Sequence, residues 1–221
     1  MEIIKQNLLN IQSQLPENVT LVAVSKTKPV ADLMEAYNAG QRVFGENYVQ
    51  ELVEKHEALP KDIQWHFIGH LQSRKVKLIA PFVNLIHGVD SLKLLHEINK
   101  EAIKNNRVID CLLQIFIAEE ESKFGLDEKE LTEILSSEEF KKLKNIRIIG
   151  LMGMATFTEN HNQIKKEFQN LKNIFDNARE LKTTNCQLNT ISMGMSGDYQ
   201  LAIECGSTMV RIGSSIFGTR K

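Results

Sequence analysis

The chain has 221 residues, 42% of them hydrophobic, and a formal net charge of −1. This length is slightly above that of one typical domain and lies near the short end for an eight-stranded α/β barrel. A charge so close to zero gives no overall attraction to nucleic acid or to an anionic membrane. No segment reaches the roughly 18 consecutive apolar residues of a membrane helix. A soluble protein is therefore expected.

The N-terminal segment and the cysteines indicate the compartment. MEIIKQNLLNIQSQL carries polar side chains through its apolar positions, which predicts a short amphipathic helix and not a signal peptide. Cys111, Cys186 and Cys205 are widely separated and form no CxxC pair. Such a set favours neither a disulfide framework nor a zinc site, so a reducing cytoplasm is the expected location.

Short apolar runs alternate with helix-like segments along the chain. The runs predict eight strands, at 21–25, 43–46, 65–68, 85–89, 111–117, 146–152, 188–192 and 209–212. Helices are predicted between them, near 30–39, 47–58, 71–80, 91–105, 127–143, 160–182 and 198–205. In the clearest of these helices, Ile164, Phe168, Leu171, Phe175 and Ala178 recur at helical spacing.

The alternation of strands and helices predicts a parallel sheet. Several of the strand runs are almost continuously apolar, as expected of strands that are buried on both faces. Eight strands in one chain of this size favour a single (β/α)8 barrel of the TIM type, and a doubly wound open sheet is the alternative. No linker, repeat or low-complexity tract interrupts the chain, so residues 1–221 are predicted to form one domain.

Lys26 follows the apolar run of the first predicted strand. The active groups of βα barrels lie at the carboxyl ends of the strands and in the loops that follow them. A partly desolvated lysine can lose its proton and attack a carbonyl carbon, which is how Schiff bases form. The alternative is a lysine at a strand end whose charge simply reaches solvent.

Small residues follow the last two predicted strands, at 192–197 (SMGMSG) and 213–215 (GSS). Such loops let backbone N–H groups approach an anion, and barrel enzymes commonly bind phosphate after strands seven and eight. The helix predicted near 198–205 begins directly after the first loop, and its N-terminal dipole would favour the same ligand. The alternative is a pair of tight turns.

Arg211 is a charged residue within the apolar strand MVRIG. A buried charge is costly unless it is paired, so Arg211 is predicted to meet a ligand or a carboxylate. Glu46 and Glu204 are the candidate structural partners. Asn47 follows the second predicted strand, where it could donate to an oxygen of a bound ring or cap the next helix.

Three other features are interpreted mainly as structural. His66 and His70 stand four residues apart but lack the glutamate of an HExxH motif, so zinc is not expected. Asp90 and Ser91 follow a strand where such residues usually cap the next helix. Lys123 lies beyond the fifth predicted strand, either near the pocket or as a solvated loop lysine.

Seven motifs occur in order: VAVSKTKP, FGENYVQE, WHFIGHLQSRK, HGVDS, GLMGMAT, SMGMSGDY and GSTMVRIGSSIFG. Together they resemble the pyridoxal phosphate homeostasis protein family from about residue 20 to residue 219. The resemblance implies the barrel fold of the N-terminal domain of alanine racemase and a bound pyridoxal 5′-phosphate.

The resemblance also implies roles for individual residues. Lys26 would form the covalent Schiff base, or aldimine, with the cofactor. Asn47 would lie beside the cofactor ring, and Arg211 would face the pyridine nitrogen. In some members a lysine matching Lys123 is implicated in cofactor exchange. The phosphate-binding set that it implies is Ser192, Gly213 and Ser214.

A cation facing the pyridine nitrogen disfavours protonation of that nitrogen and weakens the ring as an electron sink. Racemisation also needs acid and base groups on both faces of the substrate, and the second domain that supplies one of them in racemases is not expected here. The favoured function is pyridoxal phosphate homeostasis, meaning binding, buffering and delivery to apo-enzymes by a monomer without substantial catalysis. The alternatives are a cofactor-dependent amino-acid racemase or lyase, and a regulatory interaction protein that uses the cofactor as a structural ligand.

Overall fold

The computed structural model describes residues 3–119, 124–181 and 183–219. Eight parallel strands close into a barrel, in which each strand pairs with the next along the chain and the last pairs with the first. The strands are β1 Thr20–Val24, β2 Val43–Glu46, β3 Gln64–Phe67, β4 Leu85–Val89, β5 Ile109–Gln114, β6 Ile146–Met152, β7 Cys186–Ser192 and β8 Met209–Ile212. The predicted (β/α)8 barrel is confirmed.

Helices surround the barrel and connect its strands. They are α1 Ile3–Ser13, α2 Val30–Asn38, α3 Val49–Ala58, α4 Val76–Ile79, α5 Leu92–Lys104, α6 Glu128–Ser136, α7 Glu138–Lys141, α8 His161–Ala178, α9 Tyr199–Glu204 and α10 Ser214–Phe217. The predicted N-terminal helix is present as α1, which packs against α10 and α2. No helix in the described ranges is long and apolar enough to cross a membrane.

Two predicted helices differ from the observed ones. The segment predicted at 127–143 is divided between α6 and α7, because Ser137 adopts an extended conformation with ψ 143° and its hydroxyl accepts from the Phe140 N–H. A serine in that geometry ends one helix and caps the next. The segment predicted near 71–80 contains a 3-10 turn, Ser73–Lys75, and only the single turn of α4.

The fifth strand also ends earlier than predicted. The apolar run continues to Ile117, but β5 stops at Gln114 because the backbone beyond it turns to Leu126. The Phe116 N–H donates to the Leu126 carbonyl, and the Leu126 N–H donates to the Gln114 carbonyl. Hydrophobicity alone does not distinguish a strand from such a connection, because both bury their side chains.

The alternation of side chains along each strand divides the core into two regions. Val22 on β1 lies in a small cluster inside the barrel, whereas its neighbour Ala23 belongs to the large cluster between the strands and the helices. The interior cluster contains Val22, Leu85, Leu112, Met152 and Met209. The same alternation directs Val24 into a cavity at the carboxyl ends of the strands.

Gly150 on β6 pairs with Thr190 on β7, and the strand register shifts beside it. A Cβ atom at this position would lie 1.8 Å from the Thr190 carbonyl oxygen, which belongs to the backbone and cannot rotate away. We expect Gly150→Ala to lower the free energy of unfolding by about 2 kcal/mol, as overpacking does in protein cores. Urea unfolding followed by circular dichroism measures the change.

Gly197→Ala is the matched control, because a Cβ atom there would meet nothing within 4 Å. We expect this variant to unfold at nearly the same urea concentration as the unaltered protein. Equal stabilities for the two alanine variants would contradict the packing explanation.

Candidate functional site

A cavity of about 420 Å³ opens at the carboxyl ends of the strands, which is a volume typical of small-molecule sites. The loops after β1, β2, β6, β7 and β8 contribute to its walls. The predicted site residues that line it are Lys26, Asn47, Arg211, Gly213 and Ser214. Residues distant in the sequence therefore converge on one cavity. Lys123 lies outside the described residues.

Lys26 reaches the cavity because the side-chain alternation of β1 continues for two residues beyond the strand. Val24 faces the cavity, Ser25 points outward and donates from its hydroxyl to Glu46, and the half-buried Lys26 again faces the cavity. The next residue, Thr27, has a φ of 63°, in the left-handed region that a β-branched residue rarely adopts. The backbone thus turns sharply just after the lysine.

A second lysine, Lys28, lines the same cavity but has a different environment. Its Nζ atom donates to the Phe217 carbonyl at 2.9 Å and to the Thr219 carbonyl at 3.3 Å. These acceptors lie at the end of α10, where a cation satisfies carbonyl groups that have no partner within the helix. Lys28 therefore connects the turn after β1 to the C-terminal end of α10.

Two backbone amides converge at the cavity in the loop after β8, next to the loop after β1. The N–H groups of Gly213 and Ser215 donate to Ser196 Oγ at 3.3 and 3.5 Å. A Cβ atom at Gly213 would lie 3.0 Å from the Val24 carbonyl oxygen, so glycine allows the loop after β8 to lie against β1. Amides that converge on one oxygen, with serine hydroxyls beside them, form a suitable site for an anion such as phosphate.

Arg211 on β8 points into the barrel, where it forms part of the cavity wall, and it is only 4% exposed. Its Nη1 atom donates to the Ser192 carbonyl at 2.8 Å and to Ser192 Oγ at 2.6 Å, and its Nη2 atom donates to the Gly153 carbonyl at 3.0 Å. Burial lowers the pKa of Arg211 to about 10, which still leaves the guanidinium protonated at neutral pH. Three acceptor contacts hold this cation in one orientation.

The carboxylate partners predicted for Arg211 lie elsewhere. Glu46 points to the outer side of the barrel, where Ser25 and Lys55 donate to it, and Glu204 is exposed on α9. Arg211 was predicted to meet a ligand or a carboxylate; among the described residues its hydrogen-bond acceptors are two backbone carbonyls and one hydroxyl.

Ser192 is fully buried and does not line the cavity. As the last residue of β7 it points into the barrel, where its hydroxyl contacts Arg211. Ser196, four residues later in the same loop, lies at the cavity wall beside the converging amides. The resemblance implies Ser192 in the phosphate-binding set, whereas Ser196 is the serine of this loop that lies at the cavity wall.

A chain of hydrogen bonds continues from Ser192 into the barrel. Ser192 Oγ lies 3.1 Å from His87 Nδ1, and His87 Nε2 lies 3.1 Å from His66 Nδ1. Arginine can only donate, so Ser192 Oγ accepts from Arg211. A hydroxyl oxygen has a second acceptor lone pair and one proton, so it can either donate to His87 Nδ1 or accept from it, according to the tautomer of His87. The chain connects the buried guanidinium to both imidazoles.

Both histidines are neutral, and neither belongs to a metal site. Burial lowers the pKa of His66 to about 3, and burial together with the charges of His66 and Arg211 lowers the pKa of His87 well below its usual value. Across the ranges that the structure describes, no group of three or more His, Cys, Asp or Glu side chains could hold a metal ion. His70 lies 3.5 Å from Asp90 instead.

Asn47 has a buried Oδ1 atom with no hydrogen-bond partner among the described residues. It does not cap α3, whose N-terminal cap position is Tyr48. A buried acceptor without a donor is costly, so Asn47 is suited to a donor on a molecule in the cavity. Ser91, by contrast, caps α5 as interpreted from the sequence, since its hydroxyl accepts from the Leu94 N–H.

Comparison with known proteins establishes the family. A family model described as "Alanine racemase, N-terminal domain" matches residues 1–221. The pyridoxal phosphate homeostasis protein of Vibrio alginolyticus is 40% identical over 100% of this chain and 99% of its own length. That of Aquifex aeolicus is 42% identical over 91% of this chain and 87% of its own length. The chain belongs to the pyridoxal phosphate homeostasis protein family. The family resemblance found in the sequence is confirmed.

Solved structures of similar proteins share this barrel. The structure of PipY from Synechococcus elongatus without pyridoxal phosphate is 35% identical, with a TM-score of 0.89, over 97% of this chain and 100% of that chain. A PipY structure with pyridoxal phosphate bound has a TM-score of 0.87 at 34% identity and the same coverage. An alanine racemase of Clostridium difficile is 18% identical, with a TM-score of 0.80, and the match covers 100% of this chain and 56% of the racemase chain. At this identity the match shows a common fold alone.

The buried histidines predict how stability depends on pH. His66 binds a proton near pH 6.5 when unfolded but only near pH 3 when folded, so the unfolded state binds more protons between these values. The contribution of neutral His66 to the free energy of unfolding is complete above pH 6.5 and is lost as the pH falls toward 3. We expect the free energy of unfolding to fall by about 1 kcal/mol per pH unit for each such histidine.

Urea unfolding at intervals between pH 7 and pH 4 measures this slope. The comparison variant is His66→Asn, in which the side-chain amide can still form a hydrogen bond with His87 but does not titrate. We expect a shallower pH dependence in the variant. Identical slopes would contradict the assignment of His66 as a buried neutral imidazole.

Proposed function

We propose that this protein binds pyridoxal 5′-phosphate through a Schiff base on Lys26 and holds it for supply to other proteins, without substantial catalysis of its own. The observation that carries the proposal is one cavity that brings a lysine and two convergent amides together, with the buried guanidinium of Arg211 also among its lining residues. The relatives named for pyridoxal phosphate homeostasis and the PipY structure that contains the cofactor support it.

The residues of the cavity fit the chemistry of this cofactor. The amides of Gly213 and Ser215 and the hydroxyls of Ser196 and Ser214 would hold the phosphate. The unpartnered oxygen of Asn47 would accept from the ring hydroxyl. Bound there, the cofactor supplies an aldehyde, with which the Lys26 amine forms a carbon–nitrogen double bond as water leaves.

Arg211 favours storage of the cofactor over catalysis on it. Because the guanidinium is held by Ser192 and by the Gly153 carbonyl, it stays charged and keeps its orientation. A fixed cation facing the pyridine nitrogen disfavours protonation of that nitrogen, and an unprotonated ring is a weaker sink for carbanion electrons. Transamination and decarboxylation would be suppressed most.

The tyrosines near the barrel mouth give no support to a racemase or lyase. Tyr199 donates from its hydroxyl to Gln14 Oε1 at 2.8 Å, on the side of α1. Tyr48 is exposed and is not among the residues that line the cavity. A second acid or base on the opposite face of a substrate from Lys26 is therefore not supplied by either residue.

The domain organisation, the oligomeric state, the location in the cell and the recipient proteins remain predictions. We propose that residues 1–221 fold as one domain, that the protein is a monomer, and that it acts in the cytoplasm on behalf of apo-enzymes that require the cofactor. The three cysteines are buried and unpaired, as expected in a reducing compartment.

Covalent trapping tests the proposed lysine. We expect the protein incubated with pyridoxal phosphate to develop a visible absorbance band, and borohydride to fix the cofactor on a peptide that contains Lys26. Lys26→Ala should lose both signals, because no equivalent amine remains at that position. Mass spectrometry of the reduced protein identifies the modified residue.

The control for this experiment is Lys129→Ala, since Lys129 is 84% exposed on α6 and its loss leaves the cavity unchanged. We expect it to be labelled on Lys26 like the unaltered protein. A protein that stays colourless and unlabelled would overturn the proposed function, and labelling confined to Lys28 would overturn the choice of lysine.

A transfer assay separates a carrier from an enzyme. We expect the loaded protein to reactivate an apo form of a cofactor-dependent enzyme, and we expect no measurable conversion of L-alanine to D-alanine. Enzyme activity recovered over time and chiral chromatography give the two readouts. Racemisation that depends on Lys26, without transfer, would favour the enzyme alternative.

A further inference from the structure

A buried ion cluster lies on the outer side of the barrel, directly behind Lys26. Lys55 on α3 is 4% exposed, and its Nζ atom donates to the Ser25 carbonyl at 2.7 Å, to Glu46 Oε1 at 2.7 Å and to Glu51 Oε1 at 2.6 Å. A lysine ammonium has three N–H donors, so these acceptors use all of them. The Lys55 ammonium therefore serves to connect α3 to β2 and to the end of β1.

Lys55 and Glu51 form hydrogen bonds with the two peptide groups on either side of Lys26. The Ser25 carbonyl that accepts from Lys55 belongs to the peptide before Lys26. The Thr27 N–H, which belongs to the peptide after it, donates to Glu51 Oε1 at 2.6 Å. We call Glu51 and Lys55 the Lys26 clamp. The pair is spaced i,i+4 and forms an ion pair at 2.6 Å, so one turn of α3 supplies both contacts.

The clamp also holds an unfavourable backbone conformation. Thr27 has a φ of 63°, and a β-branched residue in the left-handed region is strained unless its surroundings fix it. The carboxylate of Glu51 accepts from the N–H of this same residue. Such strain near a proposed functional lysine indicates that the direction of the chain there matters more than local stability.

We propose that Glu51 and Lys55 are positioning residues that fix the backbone around Lys26 and so direct its amine into the cavity. This inference rests on the proposed function, in which Lys26 forms the bond to the cofactor. Neither clamp residue lines the cavity or touches the ligand site. The clamp acts by pre-organisation, because an amine that is held in place reacts faster with a bound aldehyde than one that samples many directions.

The test uses Glu51→Ala, with Glu54→Ala as the matched control. Glu54 lies on the same helix but is exposed and contacts only Gln50 among the hydrogen bonds found. Two properties are measured: amide hydrogen exchange of the peptide that spans 25–28 in the cofactor-free protein, and the rate at which the Lys26 adduct forms with pyridoxal phosphate. We expect Glu51→Ala to exchange faster and to form the adduct about tenfold more slowly, and Glu54→Ala to match the unaltered protein.

A second substitution distinguishes positioning from general loss of stability. Asparagine adopts the left-handed region far more readily than threonine. We therefore expect Thr27→Asn, added to Glu51→Ala, to recover part of the lost rate. A double variant as slow as Glu51→Ala would overturn the backbone explanation, since a merely destabilised fold would not respond to that change.

The two proposals fail in different ways. If Glu51→Ala exchanges and reacts like the unaltered protein, the clamp is overturned while the proposed function stands. If the unaltered protein forms no adduct on Lys26, the proposed function fails. Hydrogen exchange of the cofactor-free variants then decides whether the clamp holds the turn at Lys26.

Discussion

The pairing of β1 with β8 is the constraint on which the rest of the site depends. Val22 pairs with Arg211 and Ala23 pairs with Ile212, so the first and last strands of the chain are neighbours in the barrel. The loops that follow these strands then lie side by side. The turn at Lys26 and the amides at Gly213 and Ser215 face one cavity because the barrel closes between β1 and β8. Joining segments so distant in the sequence has an entropic cost, which the packing of the whole barrel core must offset.

Two polar networks lie on opposite sides of the strands and have different physical tasks. Inside the barrel, Arg211, Ser192, His87 and His66 form a chain that fixes a cation below the cavity. Outside it, the Lys26 clamp fixes the backbone of the first loop. A buried charge adds little net stability, because desolvation offsets its attractions. Both networks are better explained by the orientation they impose than by the energy they contribute.

The sequence predicted features that depend on local pattern and missed those that depend on packing. Apolar runs located the eight strands, and a lysine and an arginine within or after such runs identified Lys26 and Arg211. The roles of Ser192 and Ser196 could not be separated, because the path of the loop beyond β7, which brings Ser196 beside the amides of Gly213 and Ser215, depends on packing against the loop after β8. His87 was not recognised as a partner of His66, because their contact depends on the stagger of β3 against β4 in three dimensions.

The interior chain anchors Arg211 and cannot pass protons through it. A relay needs each member to accept a proton from one neighbour and pass one to the next, but a guanidinium has no acceptor site. Ser192 Oγ therefore always accepts from Arg211, whichever tautomer His87 adopts. The guanidinium could take a proton from the chain only after losing one of its own, which its pKa of about 10 excludes at neutral pH. A charge fixed in this way keeps its sign and its place at the cavity. A constant field of this kind is consistent with the proposed storage function, in which the bound cofactor is to remain unchanged.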